Sequence, residues 1–241
     1  MTLEGTNTYV VGAGDAAWVI DSGPDDPEHL NAVRAAAEER GGIAGVLLTH
    51  SHADHSAGVV SLGAPLLWGE VSDADETTGP RSYLPETGRA AGNVGPFTII
   101  PTPGHAPDHV CFVRDRVCFC GDLVLGEGSS IVPSAAFGGS LSEYMDSLRR
   151  IDGLSAELLC PGHGPLITDP RERIAEYVAH RLERERRLVG ALERGERSRA
   201  ALLAEAWDDV PEALRPAAAL AMQAHLEKLD AEGRLPHDLG D

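Results

Sequence analysis

The segment Thr49-His50-Ser51-His52-Ala53-Asp54-His55 constrains this chain more than any other part of it. It places three imidazoles and one carboxylate within six residues. A regular element cannot turn all four to one side, because helical neighbours repeat every ~3.6 residues and strand neighbours every two. They converge if a strand ends at His50, a tight loop follows and a helix begins near Ser56. A strand that runs through a loop into a helix belongs to a layered α/β body. Mixed imidazole and carboxylate donors suit zinc, with iron and manganese as further candidates.

Three later positions extend the pattern. His105 in Pro103-Gly104-His105 and His163 in Pro161-Gly162-His163-Gly164 both follow apolar stretches. Asp122 follows the buried-looking run Val117–Cys120. Each lies where a loop leaves the end of a strand, the usual place for functional residues on an α/β scaffold. A lone histidine in a Pro-Gly turn is more often a turn residue than a ligand. Five histidines and two aspartates in this order point to a metal site. His29, His109, His180, His225 and His237 lack such context and read as surface or packing residues.

The rest of the chain supplies the elements. Thr8–Val11 and Trp18–Ile20 read as a hairpin, and Val46–Leu48, Phe97–Ile100, Val110–Val113, Val117–Cys120 and Leu158–Cys160 as strands. Asp26-Pro27 starts a helix that Gly41-Gly42 ends, and Ser140 with Glu143 forms a capping box for a helix to Ile151. Asp169-Pro170 opens a long helix to Gly195 with an apolar stripe of Ile174, Tyr177, Val178, Leu182, Leu188, Val189 and Leu192. Two helical stretches follow, near Arg199–Ala206 and Glu212–Glu232. The expected organisation is a catalytic domain over 1–168, a connecting helix over 169–195 and a small helical domain over 196–241.

His50-x-His52-x-Asp54-His55, then His105, Asp122 and His163, resembles the metallo-β-lactamase-fold hydrolase superfamily over residues 1–165. The resemblance implies a four-layer αβ/βα sandwich with a two-metal site at one edge. It implies one metal at His50, His52 and His105, the other at Asp54, His55 and His163, and Asp122 between them. Asp21, in Val19-Ile20-Asp21-Ser22-Gly23, matches an early aspartate that orients ligands from behind. The two ions are expected to be Zn2+, with Fe or Mn as alternatives. The implied catalyst is a metal-bridging hydroxide, with Asp54 as the catalytic residue that holds its metal and orients the hydroxide's proton.

A narrower resemblance rests on Leu3-Glu4-Gly5-Thr6-Asn7-Thr8-Tyr9 and on His180-Arg181-x-x-Arg184-Glu185. Both are similar to the β-lactamase-like-protein-2 group, which carries a small winged-helix-like C-terminal domain; Ser198–Leu235 fits it. Animal members of that group are single-strand endoribonucleases, and related microbial and fungal members include thioesterases for carrier-bound polyketides. Members carry a strand ahead of this first segment, which leaves open that Met1 is an internal start.

Charge bears on the choice of substrate. The 241-residue chain has a formal net charge of -18. Through residue 169 it holds 8 basic against 23 acidic residues. Such a body repels phosphate backbones. A small ester, thioester or lactone, free or carrier-bound, is therefore the expected substrate. Single-stranded RNA is the alternative, and a non-catalytic nucleic-acid-binding module is a third reading opposed by the complete ligand set. The run Arg181/Arg184/Arg186/Arg187 is expected either to face a phosphate or to form a solvated, salt-bridged helix face with Glu183 and Glu185. The loop from Gly126 to Gly139 is expected either to wall the active site or to be a plain connection.

Duplex DNA is not expected as a partner, because 212–232 holds two basic against four acidic residues. That helix suits packing on the catalytic body or on a second copy. No apolar run is long enough for a membrane span, no signal peptide is visible, and four cysteines are too few for a disulfide framework. A cytoplasmic location is the expectation.

Overall fold

The structure, a computed structural model, describes residues 5–69, 91–236, 238 and 239. His237, and Leu3 and Glu4 of the segment ahead of Tyr9, lie outside the described residues. A first sheet runs in the order β1 (Tyr9–Ala13), β2 (Ala16–Ile20), β3 (Ile43–Leu47), β4 (Leu66–Trp68). The first pair is antiparallel, and β3 and β4 join in parallel. A second sheet orders β5 (Gly92–Val94), β6 (Phe97–Pro101), β7 (Val110–Arg114), β8 (Val117–Gly121) and β9 (Leu158–Pro161). Only β9 is parallel to its neighbour there.

Period-two alternation explains the layering, since both faces of each sheet carry apolar side chains. Ile20, Leu47 and Trp68 of the first sheet meet Phe97, Ile99, Phe112 and Phe119 of the second in one buried cluster. Phe97 sits edge-on to Trp18, Phe112 and Phe119, with ring centroids 5.8–6.4 Å apart. The alternate residues Val19, Val46 and Leu48 face outward onto α1 (Pro27–Glu38) and α3 (Gly58–Leu62). On the far side Cys111, Cys118, Cys120 and Leu159 pack beneath α4 (Leu141–Asp152) and α5 (Pro170–Glu193). The result is the expected αβ/βα sandwich. All four cysteines are buried and free.

The capping signals act as read: Asp26, Ser140 and Asp169 accept from the backbone N–H of His29, Glu143 and Glu172. Several readings need correction. The helix expected to reach Gly41-Gly42 ends at Glu38. The short strands β4 and β5 have too few residues to show a period and are absent from the sequence reading. The helix expected from Glu212 begins with a 3-10 turn, Glu212–Leu214, and α7 spans Arg215–Ala231. Pro216 is the reason: its ring would clash with the carbonyl one turn earlier in a continuous α-helix.

On α5, Leu182 belongs to the expected apolar stripe but is 52% exposed, whereas Arg181, Arg184 and Glu185 are buried. The inward face there is polar because partners wait for it. Arg184 makes a bidentate pair with Asp209, and Glu185 pairs with Lys228 and Arg234. Beyond them Leu188, Ala191 and Leu192 join α6 (Arg199–Ala206), Trp207 and α7 in a separate apolar cluster. No helix among the described residues is long and apolar enough to cross a membrane.

Candidate metal centre

β3 ends at Leu47, three residues before His50, and the short helix α2 (Ala53–Ser56) begins directly after His52. The break lies slightly earlier on both sides than expected, but it does what the spacing demands. His50 and His52 leave from the loop, and Asp54 and His55 from the first turn of α2. His105, Asp122 and His163 arrive from the loops after β6, β8 and β9. All seven predicted residues meet at one edge of the two sheets.

Three groups form, each with its donor atoms within 4.8 Å of one another: His50, His52 and His105; His50, His55 and Asp122; Asp54, His55 and His163. His52 Nδ1 lies 2.9 Å from His50 Nε2 and 3.1 Å from His105 Nε2. Asp54 Oδ2 lies 3.2 Å from His163 Nε2 and 3.7 Å from His55 Nε2. Asp122 sits between these sets. Its Oδ1 is 3.5 Å from His55 Nε2, and its Oδ2 is 3.7 Å from His105 Nε2 and 3.5 Å from His163 Nε2.

The outward nitrogens of four of these histidines are occupied. His50 Nδ1 meets Thr49 Oγ1 at 3.1 Å, and that hydroxyl donates to Asp21 Oδ2 at 2.9 Å. His55 Nδ1 meets Asp21 Oδ2 at 2.9 Å, His105 Nδ1 the Ile131 carbonyl at 2.8 Å, and His163 Nδ1 the Gly5 carbonyl at 2.8 Å. Acceptors behind Nδ1 favour the proton there and leave the Nε2 lone pair facing the centre. Two inner atoms, His55 Nε2 and Asp122 Oδ1, are buried without any hydrogen-bond partner among the described residues. Such orphaned polar atoms cost free energy unless a cation satisfies them. Gly162 completes the fit: a Cβ there would stand 2.3 Å from Asp122 Oδ1 and 2.6 Å from His55 Cε1. Residues and geometry fit divalent metal ions, and the nitrogen and oxygen donors suit zinc, iron or manganese alike.

The electrostatics agree. Burial holds His50 and His105 below the usual imidazole range. Burial also pulls on His55 and His163, but carboxylates overcome it and raise both to about 10: Asp21 and Asp122 for His55, Asp122 and Asp54 for His163. Burial opposes ionisation of Asp54 and Asp122, yet the histidines beside them hold both low, Asp54 at about 2. The carboxylates thus attract positive charge into the centre, which protons or metal ions can supply.

Asp21 is 2% exposed and accepts from Thr49 N at 2.7 Å as well as from Thr49 Oγ1 and His55 Nδ1. It backs the centre where the early aspartate was expected. Other supports escape the sequence reading. Gly5 holds His163, Thr6 Oγ1 donates to Asp54 Oδ2 at 3.3 Å, and Asn7 Nδ2 donates to the Pro161 and Gly164 carbonyls. The Gly5-Thr6-Asn7 run was itself the available signal. His109 is fully buried with its ring 5.2 Å from that of His50, so it packs behind a predicted ligand.

A cavity of about 530 Å³ opens from His52, Asp54, His105, Asp122 and His163. The 126–139 loop forms one wall through Glu127, Gly128, Ser129, Ser130, Ile131 and Pro133. His180, Arg181 and Arg184 of α5 form another, and Trp207, Val210, Leu214, Ala217, Ala218 and Ala221 close the far end. Of the arginine run, only Arg186 and Arg187 form the expected solvated face, paired with Glu183.

Comparison with known proteins agrees with this geometry. The profile of the Metallo-beta-lactamase superfamily matches residues 1–64 and 79–163, and that of the Beta-lactamase associated winged helix domain matches 199–239. A Beta-lactamase-like protein 2 homolog of Caenorhabditis elegans is 32% identical over 96% of this chain and 81% of its own. An Atrochrysone carboxyl ACP thioesterase of Aspergillus fumigatus is 33% identical over all of this chain and 72% of its own. Among solved structures, a metallo-beta-lactamase family protein from Thermus thermophilus superposes with a TM-score of 0.74 at 23% identity, covering 95% of this chain and 89% of that one. A protein solved in a di-iron-bound form has a TM-score of 0.52 at 29% identity, over 69% and 91%. With the fold, the converging histidines and aspartates and both profiles in agreement, the chain belongs to the metallo-beta-lactamase superfamily and is a hydrolase of that superfamily.

Proposed function

We propose that this protein hydrolyses a small ester, thioester or lactone, free or carrier-bound, at a centre for two metal ions. The observation that carries the reading is the pair of three-residue donor groups with Asp122 between them, open to the cavity. His50, His52 and His105 would hold one ion, Asp54, His55 and His163 the other, with Asp122 shared. Bound ions supply Lewis acidity and bring the pKa of a bound water near neutrality. Asp54 is the partly exposed carboxylate, held at Oδ2 by Thr6 and His163, so it could help hold an ion and orient the nucleophile's proton from the cavity side. A cation held beside it with His55 and His163 would keep it ionised for this role at neutral pH. The apolar far end, with Trp207, Leu214 and three alanines, excludes water and suits an acyl group.

The relative named as a thioesterase supports the thioester member of this set. Ion pairing weighs against single-stranded RNA and duplex DNA: Arg187, Arg194 and Arg197 pair with Asp208, Glu205 and Asp238, and Arg215 and Lys228 with Glu212 and Glu185. Neither a phosphate track nor a basic recognition helix remains among the described residues. A cytoplasmic setting, expected from the low cysteine content, belongs to the same proposal.

The test is a panel of thioesters, esters, lactones, a phosphodiester reporter and single-stranded RNA, each with and without chelator. Metal analysis of the purified protein accompanies it. Chelator-sensitive acyl hydrolysis with about two ions per chain is the expected result. Turnover confined to the phosphodiester or RNA, or activity that survives complete metal removal, would overturn the proposal.

A further inference from the structure

We infer that Arg181 is a recognition residue for a carboxylate carried by the substrate away from its scissile bond. The inference rests on the acyl-hydrolase reading above and specifies its substrate: an ester, thioester or lactone with a second, free carboxyl group.

Arg181 is 4% exposed and lines the same cavity as the metal centre. Its guanidinium differs from that of Arg184, the other buried arginine among the described residues. Arg184 is neutralised by the bidentate pair with Asp209. Arg181 pairs with no carboxylate among the described residues. Its Nη2 donates to Ser129 Oγ at 3.1 Å and to the Ser130 carbonyl, both uncharged. Its Nε is buried without an acceptor. Nη1 makes no hydrogen bond among the described residues, and the side chain lines the cavity. Tyr144 is the remaining support, through its ring, 5.3 Å from the guanidinium carbon, and through a polar side-chain interaction with Arg181; it too is uncharged.

A guanidinium cannot discharge itself by losing its proton, so a buried one is costly unless an anion or a full set of acceptors meets it. Here the set is incomplete. His180 beside it offers no compensation. Burial first, then Arg181 and Arg184, lower its pKa to about 4, so it stays neutral. Its Nδ1 is likewise buried without a partner. Glu127, the acid that lines the cavity besides Asp54 and Asp122 of the centre, is exposed and forms no ion pair with Arg181. One uncompensated positive charge matches one carboxylate. A phosphate dianion would leave a net negative charge in the same low-dielectric wall, so the carboxylate is the better match.

The test uses the metal-loaded, full-length protein. Thiophenol half-thioesters of straight-chain diacids with four to eight carbons are compared with the neutral monoacid thioesters of equal length, which spans the distance between subsite and centre. At one chain length the wild type should prefer the acidic substrate at least tenfold in kcat/KM. In R181Q that ratio should fall at least tenfold, and R181K should keep part of it. Calorimetric titration with the free diacids and the matching monoacids should show the same Arg181-dependent preference without turnover.

If no thioester is cleaved but the diacid preference depends on Arg181, the subsite stands and the hydrolase reading falls. If thioesters are cleaved and R181Q and R181K keep the wild-type ratio, the hydrolase reading stands and the subsite falls. Equal losses on acidic and neutral compounds would make Arg181 only an anchor of the 129–131 loop and overturn the inference. So would Arg181-dependent binding of phenyl phosphate tighter than phenylacetate, since it reverses the charge match.

Discussion

Asp21→Asn is the substitution whose effect follows most directly from the geometry. Asp21 uses both carboxylate oxygens: Oδ1 accepts from Thr49 N, and Oδ2 from Thr49 Oγ1 and His55 Nδ1. An amide of the same shape has one acceptor oxygen. If that oxygen faces Thr49 N, the amide NH2 meets His55 Nδ1. The imidazole must then move its proton to Nε2, the atom aimed at the centre. If the oxygen faces His55, the NH2 opposes the Thr49 N–H, two donors in contact at a position 2% exposed. Either arrangement leaves a buried group unsatisfied, at a cost of about 1–3 kcal/mol. The proton on His55 Nε2, or the lost orienting charge, should weaken metal binding by about 10–100-fold, equivalent to ~1.4–2.7 kcal/mol. Chelator competition followed by an absorbing metal indicator measures the affinity, and urea unfolding measures the stability. Wild-type affinity together with a wild-type unfolding midpoint would refute the assignment of Asp21 as the orienting partner of His55.

Three further outcomes follow. Asp122→Ala should lower metal content at both positions, because its oxygens lie within 3.7 Å of His55, His105 and His163; loss of only one ion per chain would contradict the shared role. His225 has both ring nitrogens buried without partners among the described residues, and burial, then Arg181, lowers its pKa to about 3. The unfolded chain binds this proton below about pH 6.5 while the folded one does not, so stability falls with pH across that window, by ~2 kcal/mol between pH 7 and 5; His225→Phe should lose that part of the slope in urea unfolding, and an unchanged slope would contradict it. Truncation after residue 195 should expose Leu188, Ala191 and Leu192 and remove the far wall of the cavity; with ~1.5–3 kcal/mol for each buried leucine, insolubility or lost turnover is expected, and a soluble, fully active fragment would contradict it.

The sequence by itself determined which seven side chains gather at the candidate centre, the apolar runs of the longer strands and three helix starts. These are local or periodic properties. Four donors crowded between His50 and His55 need a strand–loop–helix break, and the unbroken apolar run Val110–Val113 needs a sheet buried on both faces. Asp26, Ser140 and Asp169 cap helices through bonds that span only three residues. What the tertiary structure decided depends on partners far away in the chain. Arg181 and Leu182 adjoin on one helix, yet the arginine faces inward because Ser129 and Ser130 approach it there. Gly5 holds His163 across 158 positions. Leu214 and Ala218 line the same cavity as His52 and Asp54 because α5 carries the chain from that edge to α6 and α7. A helical residue's neighbours along the chain set its angle around the helix axis, but which angle is inside is set by what packs against the helix. For α5, that packing comes from both sides of residue 170, and no local pattern records it.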